Sequence, residues 1–220
     1  MKISKDTINI IKNFAQLNSN LILKPGNKIA TVTANKTVIA EAVVSETFPS
    51  EFGIYDLNQF LGALTLFDDP DLSFTDTHVV ISQGNNSLRY FAASTAVLTA
   101  VPNLKTFPTP DIEFDLPAAV MNQIHRAAAV LGVEDLALIG DNAQIIASVG
   151  DKKNPTSNSF ASAVGVTDKS FHVNIKMHNL RVLANDYHVA IANKKIARMQ
   201  AQTQQLTYYI AVEQDSVYNF

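Results

Sequence analysis

Five histidines and a pair of neighbouring aspartates are the residues of this 220-residue chain that invite a search for catalysis or metal binding. His78, His125, His172, His178 and His188 show no HExxH or other ligand spacing, and His172 is separated from His178 by an expected change from strand to helix. Asp68 and Asp69 follow a helical pattern and precede Pro70, which reads as a solvated helix stop. No GxSxG, Walker or GxGxxG sequence occurs, glycine is limited to eight residues, and cysteine is absent as nucleophile, ligand or disulfide. The expectation is a protein that is not an enzyme, holds no metal and uses no cofactor.

Cationic side chains are the types that recur at a useful spacing. Thr7, Ile10, Ile11, Phe14 and Leu17 form the apolar stripe of a first helix, with Lys5, Asn9, Lys12 and Gln16 opposite; Ser4 suits the N-cap, and Asp6 suits the positive end of the helix dipole. A third helix is predicted from about Leu116 to Leu131, with Asp115 as cap, Pro117 in the first turn and Gly132 as stop. Its inward residues are Val120, Ile124, Ala127 and Leu131, against Asn122, His125 and Arg126 on the other side. A short fourth helix over Ile175–Ala184 would turn Met177, Leu180 and Ala184 inward and His178 and Arg181 outward. Lysine, arginine and amides with no acid at the centre of the face attract phosphates without reading bases. The second helix, about Asp56 to Phe67, departs from this pattern: Leu57, Phe60, Leu61 and Leu64 face in, while Gln59, Gly62 and Ala63 face out without a cation.

Strand patterns surround these helices. Leu21–Lys24, Lys28–Thr33 and Lys36–Val44 read as an antiparallel meander, and His78–Ser82 with Ser87–Ala92 flank a Gln83-Gly84-Asn85-Asn86 turn. Val133–Ile139, Gln144–Val149, Tyr187–Ala192, Lys195–Gln200 and Gln205–Glu213 follow later, with a polar loop at Asp151–Ser159 and an aromatic tail at Gln214–Phe220. Pro102, Pro108 and Pro110 punctuate a stretch with no firm period, which reads as an interdomain linker at 96–111 between domains at 1–95 and 112–220. Helix–strands–helix–strands thus occurs twice, offset by about 110 residues. The fold class expected is α+β: two similar domains, each with two helices packed on antiparallel sheet.

With 47% hydrophobic and 17% charged residues the chain is globular. No apolar run is long enough to span a membrane and no secretion signal is expected, so the location expected is cytoplasmic. Seventeen basic against twenty acidic residues give a net charge of −3, which argues against a nucleic-acid grip over most of the surface but leaves room for a local basic face.

Three segments carry a resemblance. Met1-Lys2-Ile3-Ser4-Lys5-Asp6-Thr7 with Lys12-Asn13-Phe14-Ala15, then Ile54-Tyr55-Asp56-Leu57-Asn58-Gln59-Phe60-Leu61-Gly62, and finally Asp215-Ser216-Val217-Tyr218-Asn219-Phe220 together resemble the DNA polymerase sliding clamp, the processivity factor, of T-even-type bacteriophages. The resemblance implies the DNA-clamp fold and a homotrimer whose six domains close head to tail into a ring around duplex DNA, with helices lining the hole. It implies DNA polymerase and a clamp-loader ATPase as partners, in the cytoplasm of a host cell. The DNA-facing candidates are then Lys2, Lys5, Lys12, Arg126, Lys176 and Arg181. Glu41, Glu46, Glu51, Asp71 and Asp76 would lie on the rim, so that the charge is segregated. Leu98, Val101, Pro102, Leu104, Val212, Tyr218 and Phe220 supply apolar anchors for partner peptides. The rival reading is a β-rich viral structural or assembly protein that oligomerises without binding DNA, for which nothing would focus the cations.

Overall fold

Residues 1–103, 106–154 and 156–220 are described by the structure, a computed structural model; Leu104 of the expected partner set lies outside them. The chain divides into two units, Met1–Leu104 and Lys105–Phe220.

The first unit begins with α1 (Lys5–Leu17), capped by Ser4, whose hydroxyl accepts from the Thr7 N–H at 3.2 Å. Its strands are β1 (Leu21–Leu23), β2 (Gly26–Val32), β3 (Val38–Phe48) and β4 (Phe52–Ile54); α2 (Leu57–Leu64) follows, then β5 (Asp71–Phe74), β6 (His78–Gln83) and β7 (Asn86–Phe91). β2 and β3 form a hairpin, but β1 pairs with β4 rather than with β2, so the expected meander is broken. Gly53 explains the close fit of β4. A Cβ there would sit 2.4 Å from the Ala93 carbonyl oxygen, and the Ala93 N–H donates back to Gly53 O at 2.9 Å.

Along β3 the inward residues Val38, Ala40, Ala42, Val44, Glu46 and Phe48 alternate with outward ones, the period of a half-buried strand. Phe14, Phe48, Phe52 and Phe60 are among the most deeply buried side chains of the chain. The Phe74 ring meets both Phe48 and Phe52 edge-on. In α2 the alanine expected to face out, Ala63, is buried, while Asn58, Gln59 and Gly62 are exposed.

The second unit contains β8 (Ile112–Leu116), α3 (Ala118–Leu131), β9 (Asp135–Asp141), β10 (Gln144–Val149), β11 (Phe160–Val166), β12 (Ser170–Lys176), β13 (Tyr187–Ala192), β14 (Ile196–Ala201), β15 (Leu206–Ala211) and β16 (Val217–Tyr218). One ladder runs β11-β10-β9-β12-β16 and another β8-β13-β14-β15, all antiparallel.

Two sequence expectations are corrected here. Leu116 ends β8 instead of opening the third helix, and Asp115 lies in the ladder opposite His188; the first amide of α3, Ala118 N–H, is accepted by Asp186 at 2.7 Å. Gly132 closes that helix at φ 65°, a left-handed conformation that glycine adopts without a Cβ penalty. The expected fourth α-helix is a single 3-10 turn, Met177–Leu180. Its first residues are taken by β12, where Ile175 and Lys176 pair with Leu136 and Asp135. Beyond the turn, the Leu183 N–H donates to Tyr208 Oη at 3.1 Å and Tyr187 Oη donates to the Leu183 carbonyl, which holds the backbone out of a helix.

Candidate nucleic-acid interface

The first helix owes its orientation to a single apolar stripe. Thr7, Ile10, Ile11 and Phe14 are buried, and Lys5, Asn9, Lys12 and Gln16 lie on the opposite side, where both lysines are exposed, as the wheel predicts. At 1.5 Å per residue, Lys5 and Lys12 stand about 10 Å apart along the axis. Glu46 fixes the start of this helix. Its carboxylate accepts from the Ser4 N–H and from Thr7 Oγ1, both at 2.5 Å. Burial pushes this carboxyl up, but the donors at Thr7 and Ser4 outweigh it and hold the group below the usual glutamate range. Glu46 is therefore not a rim acid: its parity on β3 points it inward, and it satisfies orphan donors at the positive end of α1. Glu41 is half-buried and pairs with Lys28 at 2.8 Å, whereas Glu51, Asp71 and Asp76 are exposed.

In the second unit α3 is rotated from its expected setting. Met121, Ile124 and Ala128 are buried, Val120, Ala127 and Leu131 are only half-buried, and Asn122, Gln123 and Arg126 are exposed. His125 turns partly inward. Burial lowers its proton affinity, against the Leu180 backbone bond that favours the charged form.

The remaining DNA-facing candidates have different surroundings. Lys2 forms an ion pair with Asp69. Lys176 pairs with Asp135 at 2.8 Å; the same carboxylate lies 3.5 Å from Lys152, which also pairs with Asp215 at 2.8 Å. Arg181 is exposed just after the 3-10 turn. Lys5, Lys12 and Arg126 are exposed helix cations with no ion-pair partner among the described residues. Asp69 and Asp135 are ion-pair partners that sequence spacing does not reveal, because each reaches its lysine through tertiary pairing.

The candidate anchors are distributed over both units. Leu98 is buried in the first, where Val101 and Pro102 help to line a cavity of about 550 Å³ with Ile22, Lys24, Lys28 and Thr31. In the second, Val212 is buried beyond β15, Tyr218 is half-buried on β16 and Phe220 is exposed, its ring edge-on to Tyr218 and 4.7 Å from Lys169 Nζ. No group of three or more metal-ligating side chains occurs among the described residues, and no helix among them is long and apolar enough to cross a membrane.

Helix-backed antiparallel sheets, repeated in two units, make up the DNA-clamp fold. Solved structures share the fold: PCNA of A. fulgidus, determined with the C-terminal region of FEN-1 bound, gives a TM-score of 0.71 at 11% identity over 96% of either chain. The DNA polymerase III β chain of Streptococcus pneumoniae TIGR4 gives 0.70 at 10% identity over 100% of this chain and 65% of that one. Residues 4–99 match the family described as DNA polymerase processivity factor. The sliding clamp of Vibrio phage KVP40 is 32% identical over 221 residues, 97% of this chain and 99% of its own. That of Enterobacteria phage T4 is 29% identical over the whole of both chains. The chain belongs to the sliding-clamp family of phage DNA-replication processivity factors. Kinship of this kind does not favour the rival reading of a viral assembly protein.

Proposed function

We propose that three copies of this chain close into a ring around duplex DNA and tether the replicative polymerase, with residues 1–95 and 112–220 as its clamp domains and 96–111 connecting them. The observation that carries this reading is the set Lys5, Lys12 and Arg126, exposed on helices whose opposite faces are sunk into the sheets and unmatched by acids among the described residues. A tether that travels along any sequence needs this diffuse attraction, because bidentate base contacts worth about 1–3 kcal/mol would arrest it at preferred sites.

Arg181 adds to the DNA-facing set. Lys2 and Lys176, already paired with Asp69 and Asp135, contribute less unless DNA draws them away. Topology supplies the retention, and a heterologous contact that closes gives a ring rather than a fibre. The free edges of β7 and β11 offer backbone donors and acceptors for such a contact, with Phe91 and Val166 exposed beside them. Leu98, Val101, Pro102 and Leu104 with Val212, Tyr218 and Phe220 form the docking residues for polymerase and clamp-loader ATPase. No catalysis by the chain itself is part of this role, which is carried out in the host cytoplasm.

The test is retention. Protein loaded by its clamp loader stays on closed-circular DNA, leaves linear DNA through the ends, and has the solution mass of a trimer. Equal retention on both forms, or a stable monomer, overturns the proposal.

A further inference from the structure

In the second unit, one face of the β10-β9-β12 ladder carries a depression with a small residue at its floor. Register sets Ser148, Ala137 and Asn174 side by side, with Ile139 opposite His172 on one flank of that row. These positions alternate with the buried Leu136, Leu138 and Val173, so they lie on the face turned away from the core. Ala137 is too short to fill the space between its neighbours, and a cavity of about 190 Å³ remains there, walled in part by Ser157 and Ser159 of the loop after β10. Pockets for drug-sized ligands run from about 300 to 1,000 Å³; this one suits a single ring system.

Asn174, which lines the cavity, is 5% exposed, and its amide is only half used. Nδ2 donates to Asp215 Oδ1 at 3.1 Å, while Oδ1 is buried with no hydrogen-bond partner among the described residues. The Asp215 carboxylate can only accept, and Lys152 holds it at 2.8 Å, so the amide nitrogen is committed and the oxygen is left over. A buried acceptor of this kind calls for an N–H or O–H donor. Lys152, Lys176, Asp135 and Asp215 are already matched to one another, so a charged ligand gains little here. Ile139 and the exposed His172 supply an aliphatic side chain and an imidazole, and unstacked bases lie on ring surfaces of that kind.

We propose that this cavity is a nucleoside site, which takes a nucleobase bearing an exocyclic amino group. The amine donates to Asn174 Oδ1, as amines of bases do to amide oxygens, and the ring lies over Ala137 against Ile139 and His172. Ser157 and Ser159 supply hydroxyls for the sugar. A free nucleotide and single-stranded DNA present the same base edge, and the test separates these two sources. The site uses none of the DNA-facing or docking residues assigned above and does not depend on the tether reading.

Titration of the ¹⁵N-labelled full-length chain with deoxyadenosine, followed at the side-chain amide resonances of Asn174, tests the proposal. Deoxyadenosine shifts them saturably. Purine deoxyriboside, the same ring without the amino group, binds about fivefold more weakly, the effect of one neutral hydrogen bond. Ala137→Val fills the floor of the cavity at a strand position that accepts a β-branched residue; it weakens deoxyadenosine binding about tenfold and leaves thermal unfolding unchanged. Tighter binding of an oligo-dA strand than of deoxyadenosine monophosphate assigns the base to single-stranded DNA, and the reverse assigns it to free nucleotide. No saturable shift with deoxyadenosine, or equal affinity of the unaltered chain for the two purines, overturns the proposal, as does an Ala137→Val chain that binds as before. Retention on circular DNA is the same for Ala137→Val, which keeps failure of this site distinguishable from failure of the clamp reading.

Discussion

Replacing Glu46 tests the link between the fold and the basic face of α1. The residue is 8% exposed, and its two oxygens take the Ser4 N–H and the Thr7 hydroxyl, so Glu46→Ala strips an acceptor from both donors and leaves the Thr7 hydroxyl buried. A hydrogen bond to a charged group contributes about 1.5–3 kcal/mol, and the desolvation of the carboxylate offsets part of the pair; the loss expected is about 2–4 kcal/mol. Urea unfolding at fixed protein concentration reads this directly, and Tm falls on the order of 10 °C. Glu46→Gln keeps one acceptor oxygen and loses roughly half as much.

The pH dependence follows from the depressed proton affinity of Glu46. Its contribution is complete above the ordinary glutamate range, about pH 4–5, and is lost as pH falls through the lower folded value. The gap between the unaltered chain and Glu46→Gln is therefore widest near neutrality and narrows below about pH 4. Amide protection from Ile8 onward falls in the variants, since the Ile8 N–H donates to the Ser4 carbonyl in the first turn. A Glu46→Ala chain within about 0.5 kcal/mol of the original, or a gap that is flat from about pH 7 to pH 3, refutes the reasoning.

Two further outcomes are expected. Lys5→Glu with Lys12→Glu lowers retention on circular DNA and polymerase processivity, reduces the salt slope of DNA binding by about 0.9 for each phosphate that is no longer neutralised, and leaves thermal stability unchanged; intact processivity removes these lysines from the DNA face. His188, whose proton affinity is raised first by Asp115 and then by Glu113, contributes stability below the ordinary histidine range that is lost as pH rises through the raised folded value. Because its side chain is 41% exposed, the difference from His188→Gln is about 0.5 kcal/mol or less at about pH 5.5 and disappears by about pH 8.5, and a difference of the same size at both pH values excludes the charged bridge.

Sequence pattern locates α1 well because its apolar residues fall on one stripe and Ser4 has the chemistry of a cap. The helix at Ala118–Leu131 is harder to orient. Alanine and valine lie on several of its faces, so a wheel accepts Val120–Ile124–Ala127–Leu131 as readily as the buried Met121–Ile124–Ala128, and only Ile124 is common to both. Strands β13, β14 and β15 are legible from their turns, whereas β4 and β5 are too short to show a period, and β11 reads Phe-Ala-Ser-Ala-Val-Gly-Val with little contrast between its faces. The failure of the fourth helix lies in side-chain bonds to Leu183 from Tyr187, four residues on, and from Tyr208, 25 residues away in the sequence, which helix propensity does not contain. Of the candidate site, the exposure of Lys5, Lys12 and Arg126 follows from helix periodicity. The partners of Lys2 and Lys176 do not: Asp69 is 67 residues from Lys2, and Asp135 meets Lys176 only through the β9–β12 register.

The lysine–aspartate chain that runs Lys176–Asp135–Lys152–Asp215 bears on how fast such a molecule can travel. An ammonium already neutralised within its own protomer does not have to release one phosphate and capture the next whenever the duplex advances. In the ring proposed above, fewer cations would then bind and let go at each base pair, which would keep the friction opposing translocation low while the closed topology prevents escape.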